Sequence, residues 1–146
     1  MIKTFYRLLI YFFSKLIKTD HLSDKFPIAI KAIITDDNKI LCLKNERNEW
    51  DLPGGKINFN EGVEESLKRE VKEETNFNIK NLNILKPLNL KFNDVSVFVL
   101  LYSAEISCDS SISVSYEHYE YNFFSKSEIK NLNMPQDYKN LIEDLI

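Results

Sequence analysis

Residues 55–77 read GKINFNEGVEESLKREVKEETNF. From about Val63 to Asn76 the spacing of apolar residues predicts a helix. With Glu70 set at 0° on a helical wheel, Glu73 falls at about 300° and Glu74 at about 40°. Leu67 and Val71 follow at about 60° and 100°. One edge of the helix can therefore pack while the adjoining edge gathers three carboxylates. Like charges at i, i+3 and i+4 each cost roughly 0.2–0.5 kcal/mol on an isolated helix. The cluster is mildly destabilising unless a cation neutralises it, and oxygen-only donors without a nearby His or Cys favour a hard divalent ion.

A simpler reading competes with that one. Glu65, Arg69 and Glu73 are spaced i, i+4, i+8, as are Glu64, Lys68 and Lys72, so the same residues can form ion-pair ladders on a solvated face. The glycines tilt the balance. The chain has only three, and Gly54, Gly55 and Gly62 all fall within nine consecutive positions. A Gly-Gly pair by itself marks a turn, but it also permits positive φ and close backbone approach to a ligand. Here its loop leads into an acidic helix.

Outward from this stretch, PIAIKAIIT and KILCLK flank the turn cluster Asp36-Asp37-Asn38 and read as a hairpin. Trp50-Asp51-Leu52 must end as a strand at Pro53-Gly54-Gly55. Further strands are expected in FNIKNLNIL, in DVSVFVLLYSAEI, whose apolar run suggests burial on both faces, and in SISVSYEHYEYNFF. Ser125-Lys126-Ser127-Glu128 is a capping box for a short helix, and Pro135 suits the first turn of a last one. Strands on both sides of a central helix, with helices at both ends, indicate a mixed α/β layered domain.

The whole chain of 146 residues fits one domain. Hydrophobic residues make up 44% and charged residues 28%, which excludes a disordered tail. A net charge of -3 gives no support to a dedicated nucleic-acid binder, so no stable nucleic-acid partner is expected. Two cysteines, Cys42 and Cys108, are too few for a disulfide framework or a Cys-rich zinc site, and a reducing, cytoplasmic location is the expectation.

The first 18 residues, MIKTFYRLLIYFFSKLIK, place Lys3, Arg7, Ser14 and Lys18 on one narrow helical face and apolar residues over most of the rest. The longest uncharged run, Leu8 to Ser14, is far short of the roughly 20 residues needed to span a bilayer. Residues 1–25 read as an amphipathic helical extension. It would dock on its own domain or on a second subunit, giving a homodimer, with peripheral membrane contact as the alternative.

Gly55, five residues, Glu61, seven residues, then Arg69-Glu70-Val71-Lys72-Glu73-Glu74-Thr75, closing on Phe77, resembles the Nudix box. Asn76 replaces the usual penultimate Gly and Asn60 stands where many members have Gly. Asn is the next residue most tolerant of a left-handed backbone. Trp50-x-Leu52-Pro53-Gly54 and the strand layout also look like the family, over residues 26–146.

The resemblance implies an α/β/α sandwich with a mixed central sheet, and Mg²⁺-dependent hydrolysis, with Mn²⁺ as a substitute, of a diphosphate linkage in a small nucleotide compound. By position it makes Glu73 and Glu74 principal metal ligands. Glu70 becomes a ligand or the general base, Glu61 a support of the outer metal site, and Gly55 a carbonyl ligand. Arg69 would orient the glutamates. The base can also come from a later loop, where Glu117 is the leading candidate beside His118 and Glu120. Trp50 reads as core or as support for the box, and Tyr119 as a residue able to stack on a base.

The box does not choose among nucleoside triphosphates, ADP-ribose, nucleotide sugars, dinucleoside polyphosphates and 5′-triphosphorylated RNA. Specificity should lie in loops near 45–49, 89–94 and 109–113, and a cleft in so small a domain suits a mononucleotide better than a polymer. A non-catalytic nucleotide sensor on the same fold is the reading from another class.

Overall fold

The expected hairpin closes through Asp37 (φ 45°) and Asn38 (φ 62°). Both are left-handed, as a two-residue turn between right-twisted strands requires. The turn joins β1 (Ile28–Asp36) to β2 (Lys39–Asn45). The computed structural model describes residues 27–92, 95–107 and 118–145. The expected N-terminal helix, the 109–113 loop and Glu117 lie outside the described residues.

After two pairs with β2, β1 diverges and runs parallel to β5 (Val95–Ile106), from Ile28 opposite Phe98 to Ile34 opposite Ala104. β5 pairs antiparallel with β4 (Ile79–Phe92). β2 pairs antiparallel with both β3 (Trp50–Asp51) and β6 (His118–Ser125). The path is β3-β2-β1-β5-β4, with β6 added on β2. One parallel pair among antiparallel ones makes the sheet mixed.

Alternation along the strands divides the core into two layers. On one face Ile30, Ala32, Ile34, Leu41, Leu43, Tyr102 and Ala104 pack with Leu67 and Val71 of α1 (Val63–Thr75). On the other, Ile33, Cys42, Trp50, Val99 and Leu101 pack with Ile129, which ends α2 (Lys126–Ile129), and with Tyr138, Leu141 and Ile142 of α3 (Gln136–Leu145). The result is the expected α/β/α sandwich. Trp50 belongs to the second core, its ring edge-on to Phe124 at 4.7 Å. No helix among the described residues is long and apolar enough to cross a membrane.

Several local expectations need adjustment. β4 runs seven residues beyond Leu85 and passes through Pro87. It can do so because β4 is the edge strand, where a missing N–H breaks no ladder. The apolar run of β5 is not buried on both faces, since Phe98 remains exposed. Pro135 immediately precedes α3, and its carbonyl accepts the Tyr138 N–H at 3.1 Å.

Both departures from the glycine pattern have the same physical resolution. Asn60 (φ 67°) and Asn76 (φ 62°) are left-handed, so asparagine supplies the turns that glycine would otherwise supply. Asn76 ends α1, its N–H donating to the Lys72 carbonyl at 2.9 Å. Asn76→Gly should therefore leave stability nearly unchanged. Asn76→Val should lower it by about 1–2 kcal/mol in urea denaturation. Equal midpoints for the two variants would contradict this account of the helix end.

Candidate active site

The loop Pro53–Gly55 lies along β1, with Ala32 N–H donating to the Pro53 carbonyl at 2.9 Å and Ile30 N–H to the Gly55 carbonyl at 2.8 Å. Gly54 has φ 123°, and a Cβ there would collide with the Ile30 carbonyl oxygen. A Cβ on Gly55 would collide with the carboxylate of Glu70. The glycine pair thus brings backbone against both a strand and a charged side chain. The Gly54 N–H donates to Glu74 Oε2 at 2.7 Å, tying the loop to α1.

Arg69 gathers the remaining carboxylates. Its Nε donates to Glu61 Oε1 at 3.0 Å and its Nη2 to Glu61 Oε2 at 3.0 Å, a two-pronged contact. Its Nη1 reaches Glu70 Oε1 at 2.7 Å and Glu73 Oε2 at 3.2 Å, while Nη2 also donates to the Lys56 carbonyl at 3.3 Å. Ser66 Oγ donates to Glu61 Oε2 at 2.6 Å. The Arg69 and Ser66 bonds hold the Glu61 carboxyl below the usual carboxylate range.

The ladder on the solvated face forms only in part. Arg69 reaches Glu73, but Glu65 turns back to accept the Gly62 N–H at 3.1 Å, and Lys72 bonds the Asn76 carbonyl at 2.8 Å. Glycine 62 is the N-cap and has no side chain of its own to give, so this is half of a capping box.

Two charged residues that the sequence reading did not select complete the cluster. Lys31 Nζ, buried in β1, donates to Asp51 Oδ2 at 2.8 Å and to the Leu52 carbonyl at 2.9 Å. Burial would lower its pKa, but the negative charges of Asp51, Glu74 and Glu70 outweigh burial and raise it. The signal was visible as a lysine in the middle of the otherwise apolar strand IAIKAIIT. It had no partner until the fold placed β3 beside it.

Glu74 is the most enclosed of the acids. Burial pushes its carboxyl up to about 7, opposed by Lys31 and the Gly54 N–H and reinforced by Asp51 and Glu70. Glu120, one of the downstream candidates, is exposed on β6 and paired with Lys44 at 3.3 Å. Glu117 lies outside the described residues. Among the described residues no three Asp, Glu, His or Cys side chains form a closed metal cage. The acidic edge is instead an open row with Arg69 beside it.

An acidic helix edge against a glycine loop, on an α/β/α sandwich, defines the class of Nudix-fold proteins. The NUDIX domain profile matches residues 25–145, and the chain belongs to the Nudix family. It is a pyrophosphohydrolase acting on nucleotide pyrophosphate linkages.

Among curated relatives, the 8-oxo-dGTP diphosphatase of Buchnera aphidicola is 27% identical over 126 residues, covering 83% of this chain and 94% of that protein. The ADP-ribose pyrophosphatase of Methanocaldococcus jannaschii is 46% identical over 52 residues, only 33% of this chain and 31% of that one. Among solved structures, the MutT protein of Methanosarcina mazei superposes with a TM-score of 0.73 at 27% identity, covering 84% of this chain and 94% of that one. The MutT NUDIX hydrolase of Burkholderia pseudomallei has a TM-score of 0.75 at 22% identity, covering 84% and 100%, and supports the fold alone.

The raised Glu74 pKa makes a prediction for the metal-free protein. A carboxyl that titrates higher in the folded state than in the unfolded one, near 4.5, stabilises the fold at low pH. That contribution is lost as pH rises from the unfolded value to about 7, and no more is lost above it. In chelator, Glu74→Gln should therefore gain on the wild type between pH 5 and pH 8 in thermal melts. A gap independent of pH would show that Glu74 does not carry this strain.

Proposed function

We propose that this enzyme hydrolyses a diphosphate linkage in a nucleoside triphosphate, or in another small nucleotide-diphosphate compound, with Mg²⁺ as its metal and Mn²⁺ as a working substitute. The observation that carries the reading is the convergence of Glu61, Glu70 and Glu73 on Arg69, beside the Gly54–Glu74 tie. The donor chemistry fits a hard divalent ion. Every donor is oxygen, and the missing Cβ of Gly55 lets the Glu70 carboxylate lie against the loop.

Glu70, Glu73 and Glu74 would hold the ion, with Glu61 at the outer side and the Gly55 carbonyl adding a neutral oxygen. That carbonyl accepts one backbone bond and retains a second lone pair. When bound, the ion would supply charge neutralisation of the diphosphate and a lower pKa for the attacking water.

The chain's own residues do the rest. Arg69 orients Glu61, Glu70 and Glu73, and its planar guanidinium serves all three carboxylates at once, which lysine cannot reproduce. Glu70, in contact with the loop, is our choice among the described residues for accepting a proton from water, with Glu117 the alternative. Lys31 holds the Asp51–Leu52 end of β3, from which the glycine loop departs.

The nucleoside has a candidate berth. A cavity of about 490 Å³ is lined by Arg47 and Glu49 after β2, Leu90 and Lys91 at the end of β4, and the 133–137 segment before α3. A lining that mixes Leu90, Met134 and Pro135 with charged and amide side chains suits a base and sugar. Two of the three loops expected to set specificity line it. None of the box acids does; β3 and the Leu52–Gly55 segment, tied to Asn133 at Trp50 and to Glu74 at Gly54, would lie between nucleoside and diphosphate. The Asn133 carbonyl accepts the Trp50 N–H at 2.7 Å, which fixes the cavity wall to that strand.

The relative aligned over nearly its full length is named for a nucleoside triphosphate, which favours that class over ADP-ribose. Small nucleotide substrates and the sparse cysteines fit a cytoplasmic enzyme.

EDTA should abolish hydrolysis and Mg²⁺ or Mn²⁺ restore it; full turnover in chelator would refute the metal mechanism. Glu74→Gln should lower kcat/KM by roughly a thousandfold with unchanged circular dichroism. Arg69→Lys should lower it by about 10–100-fold. Substrate class is read from phosphate release across the (d)NTPs, 8-oxo-dGTP, ADP-ribose, nucleotide sugars, dinucleoside tetraphosphate and triphosphorylated RNA. Turnover of the RNA alone would overturn the small-substrate reading.

A further inference from the structure

Among the described residues, the face of the sheet that carries α1 is only partly covered. Cross-strand register places Ile28, Phe98 and Asn89 in one row, Ile30, Leu100 and Pro87 in the next, and Ala32, Tyr102 and Ile84 in a third. α1 packs over the Ile30, Ala32 and Tyr102 side of these rows. Beyond it Ile28 is 51%, Phe98 41% and Ile84 62% exposed, with Leu100 half-buried and Pro87 exposed between them. Scattered single apolar residues need no explanation, but these adjoin one another on three paired strands. The opposite face of the same strands is filled by Leu88, Leu90, Val97 and Val99 against the α3 layer. Among the described residues the strip is thus a sheet face of which one part is packed and the adjoining part is not.

The chain reaches this strip from outside the described residues. Ile28 is itself part of it, and the Pro27 carbonyl accepts the Phe98 N–H at 2.9 Å, so the 26 preceding residues enter beside Phe98. Those residues carry the complementary chemistry. On a helical wheel Ile2, Phe5, Leu8, Leu9, Phe12, Phe13, Leu16 and Ile17 would make a broad apolar surface, with Lys3, Arg7 and Lys18 on a narrow polar one.

We propose that residues 2–17 lie as a helix across the Ile28–Phe98–Pro87–Ile84 strip of their own chain, with the basic stripe facing solvent. Length permits it. A helix of that span is about 24 Å long, and the eight residues 19–26 reach up to about 27 Å when extended. That is enough to reverse direction and return over the sheet. A tethered segment meets this strip at a high effective concentration, so the intramolecular partner outcompetes a second copy at ordinary protein concentrations. Lys91 on β4, opposite Ser96 in the row beside Phe98, lies at the margin of the strip, and its charge disfavours inserting the basic stripe edge-first. The free surface that the extension would otherwise expose is thereby removed without a dimer or a bilayer.

Methyl-labelled full-length protein tests this by nuclear Overhauser contacts. Contacts between the methyl groups of Leu8, Leu9, Leu16 or Ile17 and those of Ile28, Ile84 or Leu100 are expected, unchanged on dilution and absent from mixed labelled and unlabelled samples filtered for contacts between chains. Contacts found only between chains would overturn the proposal in favour of a dimer. Their absence, with co-sedimentation on vesicles of phosphatidylcholine and phosphatidylglycerol, would overturn it in favour of a membrane surface; absence of both would overturn it outright.

An independent readout uses Phe98→Asp and Ile84→Asp, both at exposed positions. Trypsin cleavage after Lys15 and Lys18 should quicken by roughly tenfold or more in each, because cleavage follows the population of the undocked form. Unchanged cleavage with native circular dichroism would also refute docking on this strip.

Discussion

Four carboxylates on one helix and its entry loop must share a small volume, and the structure holds them there with two cations of opposite character. Arg69 reaches outward along the edge of α1 and binds Glu61, Glu70 and Glu73. Lys31 approaches from beneath, out of a buried strand, and lowers the charging penalty of Glu74. Without them the like charges would repel one another in a region partly shielded from water, where repulsion is stronger than on an open helix. The placement of the glycine loop follows from the same constraint. Glu74 accepts a backbone N–H from Gly54 because the loop lies close enough for a carboxylate and a peptide group to share a buried site.

Confining the acids also limits how they can move. Arg69 is held by three carboxylates and a backbone carbonyl, so a rotation that improves one bond lengthens another. Glu74 is fixed more firmly, by burial and by the loop. The edge therefore grades from a fixed inner acid to a more exposed outer one, Glu73, whose side chain is 60% exposed. For the proposed reaction such a gradient would suit retention of a hard ion on one side and entry of a phosphate chain on the other, because such ions keep several positions for water and substrate.

Much of this was legible in the chain because the informative features are local. The Asp37-Asn38 turn, the helix from Val63, and its left-handed end at Asn76 each depend on residues within a few positions of one another. The same holds for the acid edge, since positions 70, 73 and 74 on a helix can only be neighbours. What escaped was non-local. Lys31 and Asp51 are 20 positions apart and acquire meaning only when β1 and β3 are brought together. The cavity draws on residues 47–49, 90–91 and 133–137, and only two of those three segments were marked as specificity loops. The length of β4 was missed because its edge position, which excuses Pro87, is a property of the sheet and not of the strand.

The two faces of the sheet therefore have different tasks, and β1 connects them. Its Ile30, Ala32 and Ile34 support α1, whereas Ile33 enters the core beneath α3, and Lys31 between them holds the start of the glycine loop. A displacement of β1 would shift the acid edge, the loop and the wall of the cavity together. The parallel pairing of β1 with β5 over seven consecutive residues resists such a displacement, because a slip by one residue would turn every apolar side chain of the strand to the wrong layer. Lys31 would then lose Asp51 and face the α1 core as an unpaired buried charge. The penalty for burying it there makes register, and not only packing, a condition for assembling the site.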